Sequence, residues 1–301
     1  MPISPDQTVT DKFTSRQSRL NQALQSANLD ALALNPGASL TYLTGLQFHL
    51  SERPVIAIFS PGQSVHLILP ELEQAKLLDL TYPIKAFPYG EDPQTWIDSF
   101  RAALVAAGVA SGRIGVEPRQ LRLLEYSLLT QAAPQADYIP AEEVLSSLRS
   151  IKDSSEILAM RKAAQIAQLA LQATLPSIRF SISERDLAAE LTLQLLRAGS
   201  DSEIPFAPIV SAGPNSANPH ASPSDRLLQP GALLVLDFGA AHQGYISDIT
   251  RTFALGNIDP EYAQIAHLVL QANTASRNLA RPGLSAHEVD QAARAVITAG
   301  G

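Results

Sequence analysis

Hydrophobic and polar residues change their spacing repeatedly along the first half of the chain, from a helical period to a strand-like period and back. The helical period predicts a helix from Phe13 to Ala27, and the apolar run Ala31–Asn35 then predicts a buried strand. Two further apolar runs, Val55–Ser60 and Val65–Pro70, flank the turn residues 61–63 and predict a β-hairpin.

Helical and strand-like segments continue to alternate up to residue 150. The predicted segments are a helix Glu71–Leu80, a strand Ile84–Pro88, a helix Pro93–Ala107, a strand Arg113–Glu117 and a helix Leu121–Gln131. Such alternation is typical of a sheet covered by helices. We expect residues 1–150 to form an α/β domain with a mixed sheet and flanking helices.

A second domain is predicted over residues 151–301. The run DSSE at Asp153 is a candidate N-terminal capping box, in which Glu156 reaches back to the start of a helix that extends to Thr174. Another helix, capped by Ser183, is expected to end at Gly199. Strand-like alternation then occupies residues 204–256, so we expect an α+β domain.

The helical part of this domain is repeated after Pro260. A predicted helix Glu261–Ala280 is followed by a Ser285 cap and a last helix that ends at Gly300. In the first copy about fifty residues of strand come next, whereas no strand follows the second copy. We therefore expect the domain to be incomplete at its C-terminus, although two such helical hairpins can also resemble each other by chance.

The amino-acid composition and net charge exclude several classes of function. The 301 residues are 46% hydrophobic and 17% charged, which suits folded domains with real cores. The net charge of −7 argues against nucleic acid as a partner, and no apolar run is long enough to span a bilayer. With no cysteine in the chain, a metal would need oxygen or imidazole ligands, and we expect a cytoplasmic protein.

The segment LLVLDFGAAHQGYISDITRTF carries the clearest candidate chemistry. If His242 and Gln243 form the turn of a hairpin, Asp237 lies directly opposite Asp248 on one face. Two carboxylates ~5 Å apart repel by about 3 kcal/mol at an effective dielectric constant of ~20. A shared proton or bridging divalent cations would relieve this repulsion, and we favour the cations. Both aspartates can instead simply face solvent.

His220 lies upstream, in the polar loop NPHASPSD. Its imidazole can move a proton or donate a hydrogen bond to a polarised carbonyl, but a lone loop histidine is more often simply exposed. The DFG motif of protein kinases occurs, but without a glycine-rich phosphate loop or an HRD segment. The motifs GxSxG, HExxH and GxGxxG are absent, so serine hydrolases, zincins and dinucleotide-binding proteins have no support.

Together, FAPIVSAGPNSANPHASPSD and LLVLDFGAAHQGYISDITRTFALG resemble the pita-bread metallopeptidases, in particular the aminopeptidase P and prolidase group. The first 150 residues, with YLTG at Tyr42–Gly45, are similar to the creatinase-type N-terminal domain of that group. The resemblance implies a peptidase that removes a residue preceding proline or cleaves an Xaa-Pro dipeptide, and that forms a homodimer at full length.

The resemblance also implies roles for the three candidate residues. Asp237 would be a bidentate ligand of one metal, Asp248 would bridge two metals, and His220 would contact the substrate or the tetrahedral intermediate. A hydroxide held between two divalent ions, with manganese favoured over cobalt or zinc, would attack the scissile carbonyl. No organic cofactor is implied.

One departure from the family pattern affects the expected activity. The family completes its site with a histidine and two glutamates in a region that would follow Gly301, so three of five ligands are missing from these residues. We expect this chain to bind metal weakly and to be inactive. The alternative is a non-catalytic pita-bread domain used for binding.

Overall fold

A computed structural model describes residues 5–80 and 82–301 of the chain. It contains two compact units, Met1–Asp153 and Ser154–Gly301. The helices of the first unit are α1 (Pro5–Ser26), α2 (Ala38–Thr44), α3 (Trp96–Ala106), α4 (Leu123–Ala132) and α5 (Glu142–Arg149). Its strands are β1 (Ala31–Leu34), β2 (Ile56–Phe59), β3 (Val65–Pro70), β4 (Ile84–Tyr89), β5 (Arg113–Val116) and β6 (Asp137–Pro140).

The first unit is built on a six-stranded mixed sheet in the order β4-β3-β2-β1-β5-β6. Strands β1, β2 and β3 pair antiparallel, while the pairs β3–β4, β1–β5 and β5–β6 are parallel. Both faces are covered, since Leu32 and Leu34 pack with residues of α1, α2 and α5 whereas Ala31 and Ala33 pack with α3 and α4. The predicted mixed sheet with flanking helices is confirmed.

Several short elements of this unit differ from the prediction. Segment Glu71–Leu77 is a 3₁₀ helix with no buried residue, so an apolar face that would favour a longer α-helix is missing. The predicted helix at Pro93 begins as a 3₁₀ turn and becomes α3 at Trp96. Elements α2, β6 and α5 were not predicted, because runs of four to eight residues are too short to show a clear period.

The second unit contains four helices and five strands among the described residues. The helices are α6 (Ser154–Thr174), α7 (Glu184–Arg197), α8 (Pro260–Leu279) and α9 (Ala286–Ala299). The strands are β7 (Ile209–Ala212), β8 (Leu233–Phe238), β9 (Ala241–His242), β10 (Tyr245–Ile246) and β11 (Ile249–Ala254). Strands β11, β8 and β7 form an antiparallel sheet with β8 in the centre, and β9 pairs with β10.

Burial alternates along β8 and determines which side chains are available for chemistry. Leu234, Leu236 and Phe238 are fully buried and pack with residues of α6 and α7, such as Ile166 and Leu187. Since successive side chains of a strand point to opposite faces, Asp237 lies on the face away from these helices. The fold therefore places one carboxylate on the open face of the central strand.

Local side-chain chemistry sets the starts of two helices. The Ser183 hydroxyl accepts a hydrogen bond from the backbone N–H of Asp186, as predicted for the cap of α7. Ser285 and Glu288 form a complete capping box at the start of α9. The predicted caps are confirmed at both positions.

The α8–α9 hairpin is much less buried than α6 and α7. Ala272 is the one buried residue of α8, and α9 has none. Large apolar side chains on these helices are exposed, namely Tyr262, Ile265, Val269, Leu270 and Ile297. Within the described part of the chain, no helix combines the length and apolar character that a membrane crossing needs.

Candidate metal centre

The turn between β9 and β10 differs from the predicted one. Gln243 and Gly244 form it, both with positive φ (53° and 78°), and His242 pairs with Tyr245. Two positive φ angles define the type I′ turn, whose twist suits a β-hairpin. The predicted turn at His242-Gln243 is therefore wrong, and Asp237 is paired with Thr250 rather than with Asp248.

The two carboxylates nevertheless meet. The observed pairing differs from the predicted one by two residues, so Asp237 and Asp248 remain on the same face as diagonal neighbours. The two carboxylates are close enough for Asp237 to influence the pKa of Asp248. The Thr250 hydroxyl also donates to Oδ1 of Asp237 over 3.0 Å. Partial desolvation raises the pKa of Asp248, and the negative charge of Asp237 adds to that rise.

Gly239 and Ser247 position the segment that carries Asp248. A Cβ added to Gly239 would lie 2.0 Å from the Ser247 carbonyl oxygen, so only glycine permits this backbone approach. The Ser247 hydroxyl accepts from the backbone N–H of Ala240 (3.0 Å) and donates to the carbonyl of Ala163 in α6 (3.1 Å). Sequence reasoning missed both residues, although small residues beside each aspartate were a usable signal.

His220 lies in the connection between β7 and β8, the strand that carries Asp237. It is exposed, and its backbone N–H donates to Oδ1 of Asn218 over 3.0 Å. Over residues 5–80 and 82–301, no hydrogen bond or ion pair joins its ring to Asp237 or Asp248. This hydrogen bond involves the backbone of His220 and not its imidazole.

A buried carboxylate anchors that loop. Glu184, the first residue of α7, is fully buried and accepts hydrogen bonds from Ala212, Asn215 and Ser224. Sequence reasoning did not single it out, because its partners are 28 to 40 residues away in sequence.

The two aspartates suit a hard divalent cation but form only part of a site. Carboxylate oxygens are preferred ligands of Mn²⁺ and Mg²⁺. A cation would offset the partial desolvation and the negative charge of Asp237, which together raise the pKa of Asp248. In the part of the chain that the structure describes, no group of three or more His, Cys, Asp or Glu residues is arranged to hold a metal. The pair therefore fits the metal without completing its coordination.

Comparison with known proteins agrees with this fold and site. The family model described as metallopeptidase family M24 matches residues 158–301. The model of the creatinase/prolidase N-terminal domain matches residues 16–151. These two matches cover both units of the structure.

Individual relatives align over most of the chain. The probable dipeptidase PepE of Mycobacterium tuberculosis (strain H37Rv) is 31% identical over 96% of this chain and 76% of its own length. The Xaa-Pro dipeptidase of Lactobacillus delbrueckii subsp. lactis is 28% identical, over 94% and 77% of the two chains. The crystal structure of a dipeptidase from Pyrococcus horikoshii OT3 superposes with a TM-score of 0.87 at 32% identity, over 95% and 78%.

The mixed-sheet N-terminal unit, the α+β unit and the paired carboxylates agree with these matches, which place the chain among the metal-dependent hydrolases. The chain belongs to metallopeptidase family M24. Membership of this family implies divalent metal ions, and the creatinase-like and pita-bread domains expected from the resemblance are confirmed.

Proposed function

We propose that the protein is an Xaa-Pro dipeptidase or aminopeptidase that hydrolyses the bond before proline with two divalent metal ions. The single observation that carries the proposal is the contact between Asp237 and Asp248 on the open face of the β8–β11 pair. The substrate class is supported by similarity to the Xaa-Pro dipeptidases of Lactobacillus delbrueckii subsp. lactis and Pyrococcus horikoshii.

Each residue of the site has one task in this reaction. Asp237 and Asp248 hold the metal ions, with manganese preferred because the ligands are oxygen donors. Thr250 fixes the rotamer of Asp237 through its 3.0 Å hydrogen bond. When bound, the divalent ions polarise the scissile carbonyl and lower the pKa of water. His220 donates a hydrogen bond to the peptide or to the tetrahedral intermediate.

We further propose that the 301-residue chain binds metal weakly and turns over no substrate by itself. Two carboxylates supply too few ligands for a stable manganese site, and the described residues add no third metal-binding side chain to them. Metal added at high concentration should occupy the pair without creating an active site.

Location and assembly are also part of the proposal. We place the activity in the cytoplasm, where a chain without cysteine needs no oxidising environment. We propose that the active enzyme is a homodimer. Sedimentation equilibrium at several protein concentrations tests this assembly, since a mass that stays at one chain throughout would overturn it.

The decisive experiment compares the 301-residue chain with the longest chain that its gene encodes, with Mn²⁺ added. The substrate is a dipeptide with proline in second position, and its alanine analogue serves as the specificity control. Proline release by the longer chain alone supports the proposal. Activity of the 301-residue chain would overturn its predicted inactivity, and activity of neither would favour the binding-protein alternative.

A further inference from the structure

The Glu184 carboxylate is saturated with hydrogen-bond donors from one loop. Its Oε1 accepts from the backbone N–H of Ala212 (2.7 Å), and its Oε2 accepts from the Asn215 side-chain amide (2.9 Å). Oε2 also accepts from the backbone N–H (3.0 Å) and hydroxyl (2.6 Å) of Ser224. No ion pair of the described residues includes Glu184, so neutral donors alone hold this fully buried charge.

These donors lie on both sides of His220 in the sequence. Ala212 and Asn215 precede the histidine, and Ser224 follows it. Two backbone hydrogen bonds reinforce the trailing side, since the N–H of Glu184 donates to Arg226 and the N–H of Arg185 donates to Ser224, each over 3.0 Å. The first turn of α7 therefore clamps both ends of the loop that carries His220.

The course of this loop decides where His220 lies relative to the carboxylate pair. Strand β7 ends at Ala212, which pairs with Leu234, three residues from Asp237 on β8. Three residues of strand correspond to about 10 Å, so the loop has to return along the sheet to bring its imidazole to the aspartates. The ring of His220 is exposed. Its position relative to the aspartates therefore depends on how the two ends of the loop are held.

We propose that Glu184 is a positioning residue for His220. It fixes both ends of residues 212–224 and thereby directs the imidazole towards a peptide bound at the Asp237–Asp248 pair. This inference rests on the proposed role of His220 in catalysis. The N-terminus of helix α7 favours a negatively charged side chain at this position. The charge of the Glu184 carboxylate makes each of its four hydrogen bonds stronger than a bond between neutral groups.

Glu184→Gln tests the clamp because either orientation of the amide directs its NH₂ group at an N–H donor of the loop. In this variant we expect the backbone amide hydrogens of Ala212 and Ser224 to exchange with solvent about tenfold faster than in the unchanged protein, or faster still. This is the size of effect expected when a hydrogen bond to a charged group is lost. The NMR resonances of the His220 ring should shift, while amides of α6 and β8 stay protected. Glu190→Gln on the same helix is the matched control, since the one hydrogen bond of its side chain to a described residue comes from Gln194, also in α7.

Ser224→Ala tests the same contact from the loop, should the glutamine variant fold poorly. It removes the 2.6 Å hydroxyl bond, and we expect a smaller change of the same kind that is not additive with Glu184→Gln. Unchanged His220 resonances in both variants, or equally faster exchange throughout the unit, would overturn the positioning role.

Activity separates this inference from the proposed function. In the longest chain that the gene encodes, Glu184→Gln should lower kcat for the proline dipeptide far more than it changes KM. If that chain is inactive, the proposed function fails, while the exchange and ring-resonance measurements on the 301-residue chain still decide whether Glu184 directs the loop. A change in KM alone would contradict the positioning role.

Discussion

At the scale of single residues, small side chains beside the two aspartates are as important as the aspartates themselves. Gly239 lets the chain pass close to the Ser247 carbonyl, and the buried Ser247 hydroxyl ties this segment to α6. Asp248 follows Ser247 directly and so is held near Asp237. The geometry of the carboxylate pair therefore depends on a backbone contact that only glycine permits.

Gly239→Ala should destabilise the second unit. Its new Cβ would lie 2.0 Å from a backbone oxygen, and the strands must separate to admit it, at a cost of about 1–3 kcal/mol. Urea unfolding followed by circular dichroism measures the loss. Gly90→Ala is the matched control, because an added Cβ there meets nothing within 4 Å. Equal stability of the two variants would contradict this role of Gly239.

Asp248→Asn should stabilise the metal-free protein at neutral pH. The pKa of Asp248 is raised in the folded state, so this residue favours folding when protonated, and that contribution is lost as pH rises through its pKa. Asparagine removes the repulsion, with a gain below about 1 kcal/mol because the site is exposed. Thermal unfolding in EDTA should show the gain at pH 7 and none at pH 3. A gain of the same size at pH 3 would show that charge repulsion is not its cause.

At the scale of elements, local side-chain chemistry was predictable and strand register was not. The caps of α7 and α9 were predictable because Ser183 and Ser285 act on backbone groups only three residues away. The hairpin pattern predicted the face of Asp237 correctly even though the predicted register was wrong. The error was two residues, and a shift of two residues leaves every side chain on the same face of the sheet. Hydrophobic alternation therefore predicts on which face of the sheet the carboxylates lie, but it does not predict which residues of β8 and β11 pair. The Glu184 clamp joins distant segments, and no local pattern reveals it.

The β9–β10 turn offers a direct test of this explanation. Gln243 has φ 53°, a conformation that asparagine tolerates better than glutamine. Gln243→Asn should therefore stabilise the hairpin by about 0.5 kcal/mol, whereas Gln243→Ala should give no gain. Thermal unfolding of both variants measures the difference. An asparagine variant no more stable than the alanine variant would contradict the type I′ assignment.

At the scale of the whole molecule, the two units differ in how completely their helices are buried. The first unit covers both faces of its sheet, whereas α8 and α9 bury one residue between them, Ala272. Since local stability follows buried apolar contact, opening of α8 and α9 should be frequent. The large apolar side chains of α8 and α9 are exposed even in the closed structure, and they can associate with other apolar surfaces.

Hydrogen exchange should show this difference directly. Peptides from α8 and α9 are expected to exchange about a hundredfold faster than peptides from α6 and α7, which form the core with β8. Mass spectrometry of the deuterated protein, at protein concentrations low enough to prevent association, gives both rates in one experiment. Equal protection of the two helix pairs would show that burial does not limit the opening of α8 and α9.

Manganese binding shows directly whether Asp237 and Asp248 hold a divalent metal. Electron paramagnetic resonance of free Mn²⁺ should show weak binding to the 301-residue chain, and this binding should disappear in Asp237→Asn and in Asp248→Asn. Asp225→Asn is the control, because Asp225 pairs with Arg185 on the surface. Unchanged manganese binding in the double variant Asp237→Asn/Asp248→Asn would show that these carboxylates do not hold the metal.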